Sequence, residues 1–338
     1  MRVEAHFATD VGRRREHNED YVACHPDLGL FVVCDGMGGH AAGEVASRLT
    51  CETVVDLLRA DIDQLRAWMC GERSERRAAN DRISAAVRAA NARVREAGER
   101  DPSQRGMGTT LTLLLLNGER AIVAQVGDSR LYLRRGGNVH QVTTDHTIRT
   151  ELVRAGRPLN SIDAKHLDAL TRAVGVHPSL EVDIVELDVL PGDIFILCSD
   201  GLHSYFNDFD LAGFLEHSRP RSVAGDLVEH ANKRGGHDNI SLISLHILGG
   251  EETETTLRVR LTLDTLKTIP LFHYLSFAEL LKVIPTCQTR IVSAGDELVV
   301  ENDASSDFYI IVEGEVRVHR GGAEIARLGP GRYFGEMS

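Results

Sequence analysis

The sequence lacks the features that would indicate a membrane protein, a secreted protein or a nucleic-acid-binding protein. No apolar run approaches the roughly 20 residues that a helix needs to cross a bilayer. The first residues, Met1 to Ala5, lack the apolar core of a signal peptide. The net charge of −12 is opposite in sign to the basic face expected of a nucleic-acid-binding protein. We therefore expect no membrane span and no nucleic-acid partner.

Closely spaced cysteines are also absent. The six cysteines are dispersed, and no two of them have CxxC spacing. This distribution disfavours a zinc site and a disulfide framework, and it favours buried, reduced thiols. We therefore predict a cytoplasmic protein.

A break in composition divides the chain. Residues 249–256 are polar, acidic and poor in apolar side chains, which is typical of a linker. With 338 residues the chain is long enough for two domains. We predict a first domain at residues 1–248, a linker at 249–261 and a smaller β-rich domain at 262–338.

Hydrophobic periodicity predicts an α+β fold for the first domain. Residues 3–8 and 28–34 have strand-like patterns, and residues 41–58 and 75–96 have helical spacing. The Asn117-Gly118 pair between two apolar runs is a hairpin signal. Further strands are predicted at 181–187, 193–197 and 240–247, and further helices at 208–215 and 222–234. Hairpins with helices in separate blocks favour antiparallel sheets covered by helices over a βαβ array.

Five short acidic clusters are the most informative feature of the chain. They are, in order, Arg15–Asp20, Asp35–His40, Gly127–Arg130, Cys198–Leu202 and His237–Ser241. At least three of them follow apolar, strand-like runs, at residues 30–34, 122–126 and 193–197. Carboxylates at the ends of buried strands repel one another and are costly to desolvate unless they are neutralised. Hard divalent cations neutralise them and prefer oxygen ligands, so the pattern predicts a metal enzyme.

Asp35 is the strongest candidate ligand. It follows an apolar run and precedes Gly36, which lets the backbone approach closely. A carboxylate at this position could bridge two cations, the usual arrangement for in-line phosphoryl displacement. Asp200 and Asp238 would complete the shell of one ion, and Asp20 would help to hold the other. A water between two cations is acidified and becomes the nucleophile.

The ordered set of motifs resembles the metal-dependent serine/threonine phosphatases of type 2C, in particular their bacterial branch. The resemblance extends from about residue 3 to residue 247. The motifs are Arg-x-x-Asn-Glu-Asp, Asp-Gly-Met-Gly-Gly-His, Gly-Thr-Thr, Gly-Asp-Ser-Arg, Thr-x-x-Asp-His-Thr (as Thr143-Thr144-Asp145-His146-Thr147), Leu-Thr-Arg-Ala-Val-Gly, Ser-Asp-Gly-Leu and Asp-Asn-Ile-Ser. The resemblance implies a four-layer α-β-β-α sandwich of two antiparallel sheets flanked by helices.

The resemblance also implies a two-metal centre of manganese or magnesium ions. Its ligands would be Asp35, the carbonyl of Gly36, Asp200 and Asp238. Glu19 and Asp20 would act on the second ion directly or through water. Asp128 matches the ligand of a third, weaker metal site in bacterial members.

Two further residues match the family's catalytic machinery. Arg15 matches the residue that binds the substrate phosphate, a role that suits a guanidinium because it donates two parallel hydrogen bonds. His40 matches the general acid that protonates the leaving serine or threonine oxygen. Residues 146–166 align with the variable flap beside the active site. The implied substrates are phosphoserine and phosphothreonine proteins, and a serine/threonine kinase is a candidate partner.

Other interpretations stay open at this point. Each Asp-Gly motif alone is more often a turn than a ligand, although their joint occurrence favours ligands. Arg15 lies in an arginine run typical of a solvated patch, and His40 could be a helix-entry histidine without catalytic function. The chain could instead be a non-catalytic phosphoprotein-binding module, an enzyme for small phosphate esters, or a nucleotide sensor with a vestigial catalytic part. The presence of every expected carboxylate favours the enzyme.

The tail resembles the cyclic-nucleotide-binding fold. The matching segments are residues 272–280, Gly295-Asp296, residues 307–316 and residues 328–336. Glu336 matches the glutamate that contacts the ribose in nucleotide-binding members, but the chain ends two residues later. We expect an incomplete β-roll that does not bind a cyclic nucleotide with useful affinity. A regulatory role of the tail is the corresponding hypothesis.

Overall fold

The chain divides into two compact units, Met1–Gly250 and Glu251–Ser338. The computed structural model describes residues 1–38, 42–249, 262, 265–267, 269–300 and 307–335. The predicted linker lies outside the described residues except for Gly249, and His40 and Glu336 also lie outside them.

Eleven strands of the first unit form two antiparallel sheets. One sheet has the order β1-β11-β10-β7-β8, and the other has the order β2-β3-β5-β6-β9 with β4 paired to β3. The strands are β1 (Arg2–Asp10), β2 (Asp20–His25), β3 (Leu30–Met37), β4 (Gly108–Thr109), β5 (Leu111–Asn117), β6 (Arg120–Val126), β7 (Arg130–Arg135), β8 (Asn138–Gln141), β9 (Asp183–Asp188), β10 (Ile194–Cys198) and β11 (Ile240–Leu248). The predicted hairpin at Asn117-Gly118 joins β5 to β6, and Gly118 has the positive φ of 60° that this tight turn requires.

The helices cover the outer faces of the sheets. They are α1 (Ala42–Ala60), α2 (Ile62–Cys70), α3 (Arg73–Arg100), α4 (Ile148–Arg154), α5 (Asp200–His203), α6 (Asp208–His217) and α7 (Val223–Lys233). Apolar residues of α1, α2 and α3 pack with those of β3, β5 and β6 in one buried cluster. A second cluster joins α5, α6 and α7 to β7, β10 and β11.

The two sheets pack face to face between these helical layers. In β3, Leu30, Val32 and Cys34 belong to the cluster under α1 and α3, whereas Phe31 and Val33 are also fully buried. Because side chains alternate along a strand, Phe31 and Val33 point toward the other sheet. Burying an apolar side chain of this size contributes about 1.5–3 kcal/mol. The predicted four-layer α-β-β-α sandwich is therefore confirmed.

The second unit is small and β-rich. It contains helix α8 (Phe277–Val283), which begins with a capping box between Ser276 and Glu279. Its strands are β12 (Tyr309–Ile310), β13 (Val316–Arg320), β14 (Ala323–Leu328) and β15 (Tyr333–Phe334), paired β12 with β15 and β13 with β14. Leu266, Ile269 and Leu280 form its buried cluster. Across both units, none of the helices that the structure describes is long and apolar enough to span a membrane.

Candidate active site

Five aspartates from distant parts of the chain converge at one edge of the sandwich. Asp20 on β2 lies opposite Asp35 on β3 in the strand register. Asp200 opens α5 directly after β10, and Asp128 lies in the turn before β7. Asp238 precedes β11. Asp35 lies within β3 and not after its end, because β3 continues through Met37 and pairs there with β4.

Burial and mutual repulsion raise the pKa values of four of these carboxyls, those of Asp20, Asp35, Asp128 and Asp200. Burial is the main reason why the pKa of Asp35 lies well above its usual range, and the charges of Asp20, Asp200, Asp128 and Asp238 add to it. Burial raises the pKa of Asp20 to about 7, against the hydrogen bonds that it accepts from serines. Burial, followed by the charge of Asp200, raises the pKa of Asp128 to about 7. The folded protein therefore stabilises these groups either by protonation or by a cation.

Several carboxylate oxygens at the site are buried without a hydrogen-bond partner. They are Glu19 Oε1, Asp20 Oδ1 and Asp200 Oδ1. Buried polar atoms are normally paired, so each unpartnered oxygen indicates an interaction with a group of another kind. Hard divalent cations accept such an all-oxygen donor set, and in this respect the residues fit magnesium or manganese.

Asp238 is engaged by other donors in the described structure. Its Oδ2 accepts a hydrogen bond of 2.6 Å from Arg15 Nη2, and its Oδ1 accepts one of 2.8 Å from the Asn239 backbone N–H. Among residues 1–38, 42–249 and the described part of the second unit, no three acidic, histidine or cysteine side chains are grouped tightly enough to enclose an ion as they stand. Arg15 thus neutralises the outermost carboxylate of the cluster.

Glycines allow Glu19 to reach the cluster. A side chain at Gly36 would collide with the carbonyl oxygens of Gly43 and Glu19, and a side chain at Gly43 would collide with the Glu19 carboxylate. The Gly43 backbone donates to that carboxylate, which places it at the first turn of α1. Burial raises the pKa of Glu19, although Arg15 and the Gly43 hydrogen bond lower it.

Asn239 holds together the two segments that carry the site, a role that was not predicted from the sequence. Its Nδ2 donates to the carbonyls of Val11 and His17 at 3.0 and 2.9 Å, and its Oδ1 accepts from the Glu19 backbone N–H at 2.8 Å. Asn239 is buried. The position of Asn239 beside Asp238 in the Asp-Asn-Ile-Ser motif was the available signal, but the contacts span more than two hundred residues and are not visible in a sequence.

Ser199 is a second residue whose role was not predicted from the sequence. Its Oγ donates to Asp20 Oδ2 at 2.8 Å, and it accepts from the Ser241 backbone N–H at 3.1 Å. It thereby connects β10, β11 and β2 directly under the acidic cluster. Thr110 has a similar position, since its Oγ1 accepts from the Asp35 backbone N–H at 2.9 Å.

We expect Asn239→Ala to destabilise the first unit by about 2–3 kcal/mol, because it leaves one buried N–H and two carbonyls without their partners. Urea unfolding followed by circular dichroism measures this loss. Asn138→Ala, at an exposed position at the start of β8, is the matched control and should change the free energy of unfolding little. Equal stability of the two variants would contradict the structural role of Asn239.

The structure thus brings together seven of the predicted side chains. They are Arg15, Glu19, Asp20, Asp35, Asp128, Asp200 and Asp238. The predicted flap contains α4 and short 3₁₀ turns at Leu159–Ser161 and Ala164–His166. An ion pair of 2.7 Å between Arg149 and Asp168 connects its first helix to the segment that follows it.

Comparison with known proteins decides the family. Residues 11–233 match the sequence profile of protein phosphatase 2C, and residues 289–338 match that of the cyclic nucleotide-binding domain. The serine/threonine phosphatase stp of Listeria welshimeri is 33% identical over 254 residues, which cover 71% of this chain and 94% of stp. The chain belongs to the protein phosphatase 2C family.

Solved structures support the same assignment for this phosphatase. The serine/threonine phosphatase PstP/Ppp of Mycobacterium tuberculosis superposes with a TM-score of 0.63 at 33% identity, covering 73% of this chain and 99% of PstP/Ppp. A catalytic domain of PstP in complex with two manganese ions superposes with a TM-score of 0.60 at 33% identity, again covering 73% and 99% of the two chains. The predictions of a type 2C fold and of a metal-dependent serine/threonine phosphatase are confirmed, as is the resemblance of the tail to a cyclic-nucleotide-binding domain.

Proposed function

We propose that the phosphatase hydrolyses phosphoserine and phosphothreonine in proteins at the acidic cluster, with two manganese or magnesium ions bound there. The observation that carries this proposal is the set of buried, mutually repelling carboxylates with unpartnered oxygens around Asp35. A permanent cluster of this kind is costly unless cations neutralise it.

The ligands of the two ions would be Asp35, the Gly36 carbonyl, Asp200 and Asp238, with Glu19 and Asp20 on the side of β2 and α1. The central position of Asp35, whose charge interacts with those of four other aspartates, supports its role as a ligand of the two-metal centre. When bound, the ions supply positive charge for the phosphate and acidify the attacking water.

Arg15 would bind the substrate phosphate. Its guanidinium lies at the partly exposed rim of the cluster and is held there by Asp238. Once a cation compensates Asp238, the guanidinium has free donors for two phosphate oxygens, which is the geometry that arginine offers best. His40, which lies outside the described residues, is the proposed general acid for the leaving serine or threonine oxygen.

Asp128 is the proposed ligand of a third, weaker ion. Its carboxyl is half-buried and is repelled by the charges of Asp200 and Asp145, a repulsion that an additional cation would relieve. For the tail we propose a regulatory role, and for the whole protein a cytoplasmic location with a serine/threonine kinase among its partners. The six free cysteines support a reducing compartment.

The test of this function is manganese-dependent phosphate release from a phosphothreonine peptide. We expect the full chain to release phosphate with manganese chloride, and we expect EDTA or Asp238→Asn to reduce the rate by about 10²–10³-fold, because each removes part of the charge that stabilises the transition state. Phosphate is measured by a colorimetric assay under single-substrate steady-state conditions.

Asp226→Asn, on the exposed side of α7, is the matched control because it removes the same charge away from the cluster. A folded, manganese-bound protein that releases phosphate from a small aryl phosphate but not from phosphopeptides would overturn the proposed substrate class. A folded protein without activity on either substrate would overturn the enzymatic function.

A further inference from the structure

The backbone turn that carries Asp128 is held by two histidines from different segments. His146 accepts a hydrogen bond of 3.1 Å on its Nδ1 from the Gly127 N–H, and its own backbone N–H donates to the Gly127 carbonyl at 2.9 Å. On the other side, His203 Nε2 lies 3.0 Å from the Asp128 carbonyl oxygen. Because a carbonyl only accepts, His203 carries its proton on Nε2 and donates it.

His203 belongs to the same short helix as Asp200. Helix α5 begins at Asp200 and ends at His203, so that the two residues lie on one turn. One end of this turn carries a proposed ligand of the two-metal centre, and the other end fixes the backbone of the proposed ligand of the third ion. The charges of Asp200 and Asp128 also interact directly.

The remaining contacts of the Gly127–Asp128 turn leave little freedom to its backbone. Gln125 Nε2 donates to the Gly127 carbonyl at 3.0 Å, and a side chain at Gly127 would collide with Thr110, which itself holds the backbone of Asp35. Gly127 is anchored by His146 and Gln125, and Ser129 is anchored by Thr110, Thr112 and Gln125. Between them, the hydrogen bond from His203 holds the Asp128 carbonyl.

We infer that His203 is a positioning residue that sets the direction of the Asp128 carboxylate relative to Asp200 and thereby the affinity of the third metal site. This inference rests on the proposed function, because it takes Asp128 as a ligand. In this role His203 acts through its hydrogen bond to the Asp128 carbonyl and not as a ligand. Removal of such a supporting hydrogen bond typically lowers metal affinity by about 10- to 100-fold.

The test is isothermal titration of the metal-free full chain with manganese chloride, for the wild type and for four variants. Asp128→Ala should remove the weaker binding event and keep the tighter ones. His203→Asn should weaken only the weaker event, by about tenfold or more, because its shorter amide does not reach the Asp128 carbonyl. His203→Gln should bring the affinity of the weaker event to within about threefold of the wild-type value, because a glutamine amide places its N–H near the position of Nε2.

His246→Gln is the control, since His246 is a buried histidine on β11 outside the acidic cluster, and it should bind manganese like the wild type. Thermal unfolding of each variant confirms that it is folded. The inference would be overturned if His203→Asn bound manganese like the wild type, or if His203→Asn and His203→Gln weakened the weaker binding event equally. In either case, loss of this event in Asp128→Ala would still support the third site. If Asp128→Ala bound manganese like the wild type, both the third site and the inference would be overturned. The proposed two-metal phosphatase would not be affected.

Discussion

Asp35→Asn is expected to reduce phosphate release strongly and, at the same time, to make the metal-free phosphatase more stable to heat. Asparagine has the same shape as aspartate but no charge. It removes the proposed central ligand, for which we expect a loss of about 10³-fold in rate, equivalent to about 4 kcal/mol. It also removes the carboxylate that burial and four neighbouring aspartates oppose most strongly. Function and stability therefore change in opposite directions at this position.

The measurement combines phosphate release with thermal unfolding in EDTA. Asp193→Asn is the matched control, because Asp193 is a buried aspartate that accepts hydrogen bonds of 2.9 and 2.6 Å from Arg135 and lies outside the acidic cluster. Breaking this buried pair should lower the free energy of unfolding by about 3–5 kcal/mol, whereas the activity per folded molecule should stay unchanged. A lower unfolding temperature of Asp35→Asn in EDTA would show that Asp35 does not destabilise the metal-free fold.

The metal-free phosphatase is expected to lose thermal stability as the pH rises from about 5 to about 8, and manganese should reverse this loss. Asp20 and Asp128 have folded-state pKa values of about 7, raised mainly by burial. Their unfolded values are about 3.9. Because the folded state binds these protons more tightly, their contribution to stability is complete below the unfolded pKa and disappears as the pH rises through the folded pKa.

Differential scanning fluorimetry in EDTA measures this dependence. The summed contribution of Asp20 and Asp128 to the free energy of unfolding is about a few kcal/mol, which corresponds to a shift on the order of 5–10 °C in the unfolding midpoint for a unit of this size. Asp128→Asn removes one of the titrating groups, so its unfolding midpoint should depend less on pH than that of the wild type. Saturating manganese should raise the midpoint of the wild type most at high pH, where the cations replace the protons. An unfolding midpoint of the metal-free wild type that rises over this range would contradict the argument.

The sequence allowed the regular parts of the fold to be predicted because their periodicity is local. The α1 and α3 helices and the hairpin at Asn117-Gly118 follow from apolar spacing and turn chemistry. Strand β2 and helix α2 were not predicted. The β2 segment is short and mixed in polarity, and the apolar spacing of α2 spans few turns, so neither has a strong pattern of its own. Their conformation depends on the pairing of β2 with β3 and on the packing of α2 under α3.

The carboxylates of the site could be predicted because each belongs to a short motif, whereas their present partners could not. The pair of Arg15 with Asp238 joins residues 223 positions apart. The hydrogen bond of Ser199 with Asp20 joins residues 179 positions apart. Nothing in either local sequence specifies such a pair, because the fold alone brings the segments together. The placement of Asp35 inside β3 could not be predicted either, because β3 continues past Asp35 through the pairing of Gly36 and Met37 with β4, which is a tertiary interaction.

The pairing of β1 with β11 has a consequence for how the enzyme appears during synthesis. These are the first and last strands of the first unit, and they pair over nine positions from Arg2 with Leu248 to Asp10 with Ile240. The segment around Arg15 is anchored on residues that follow helix α7. These contacts of the N-terminal half of the site can form only after the last segment of the unit has left the ribosome. Contacts of such long sequence separation form late and slowly. We therefore expect a nascent or prematurely terminated chain to be inactive toward phosphoproteins until residues up to Leu248 are available for pairing.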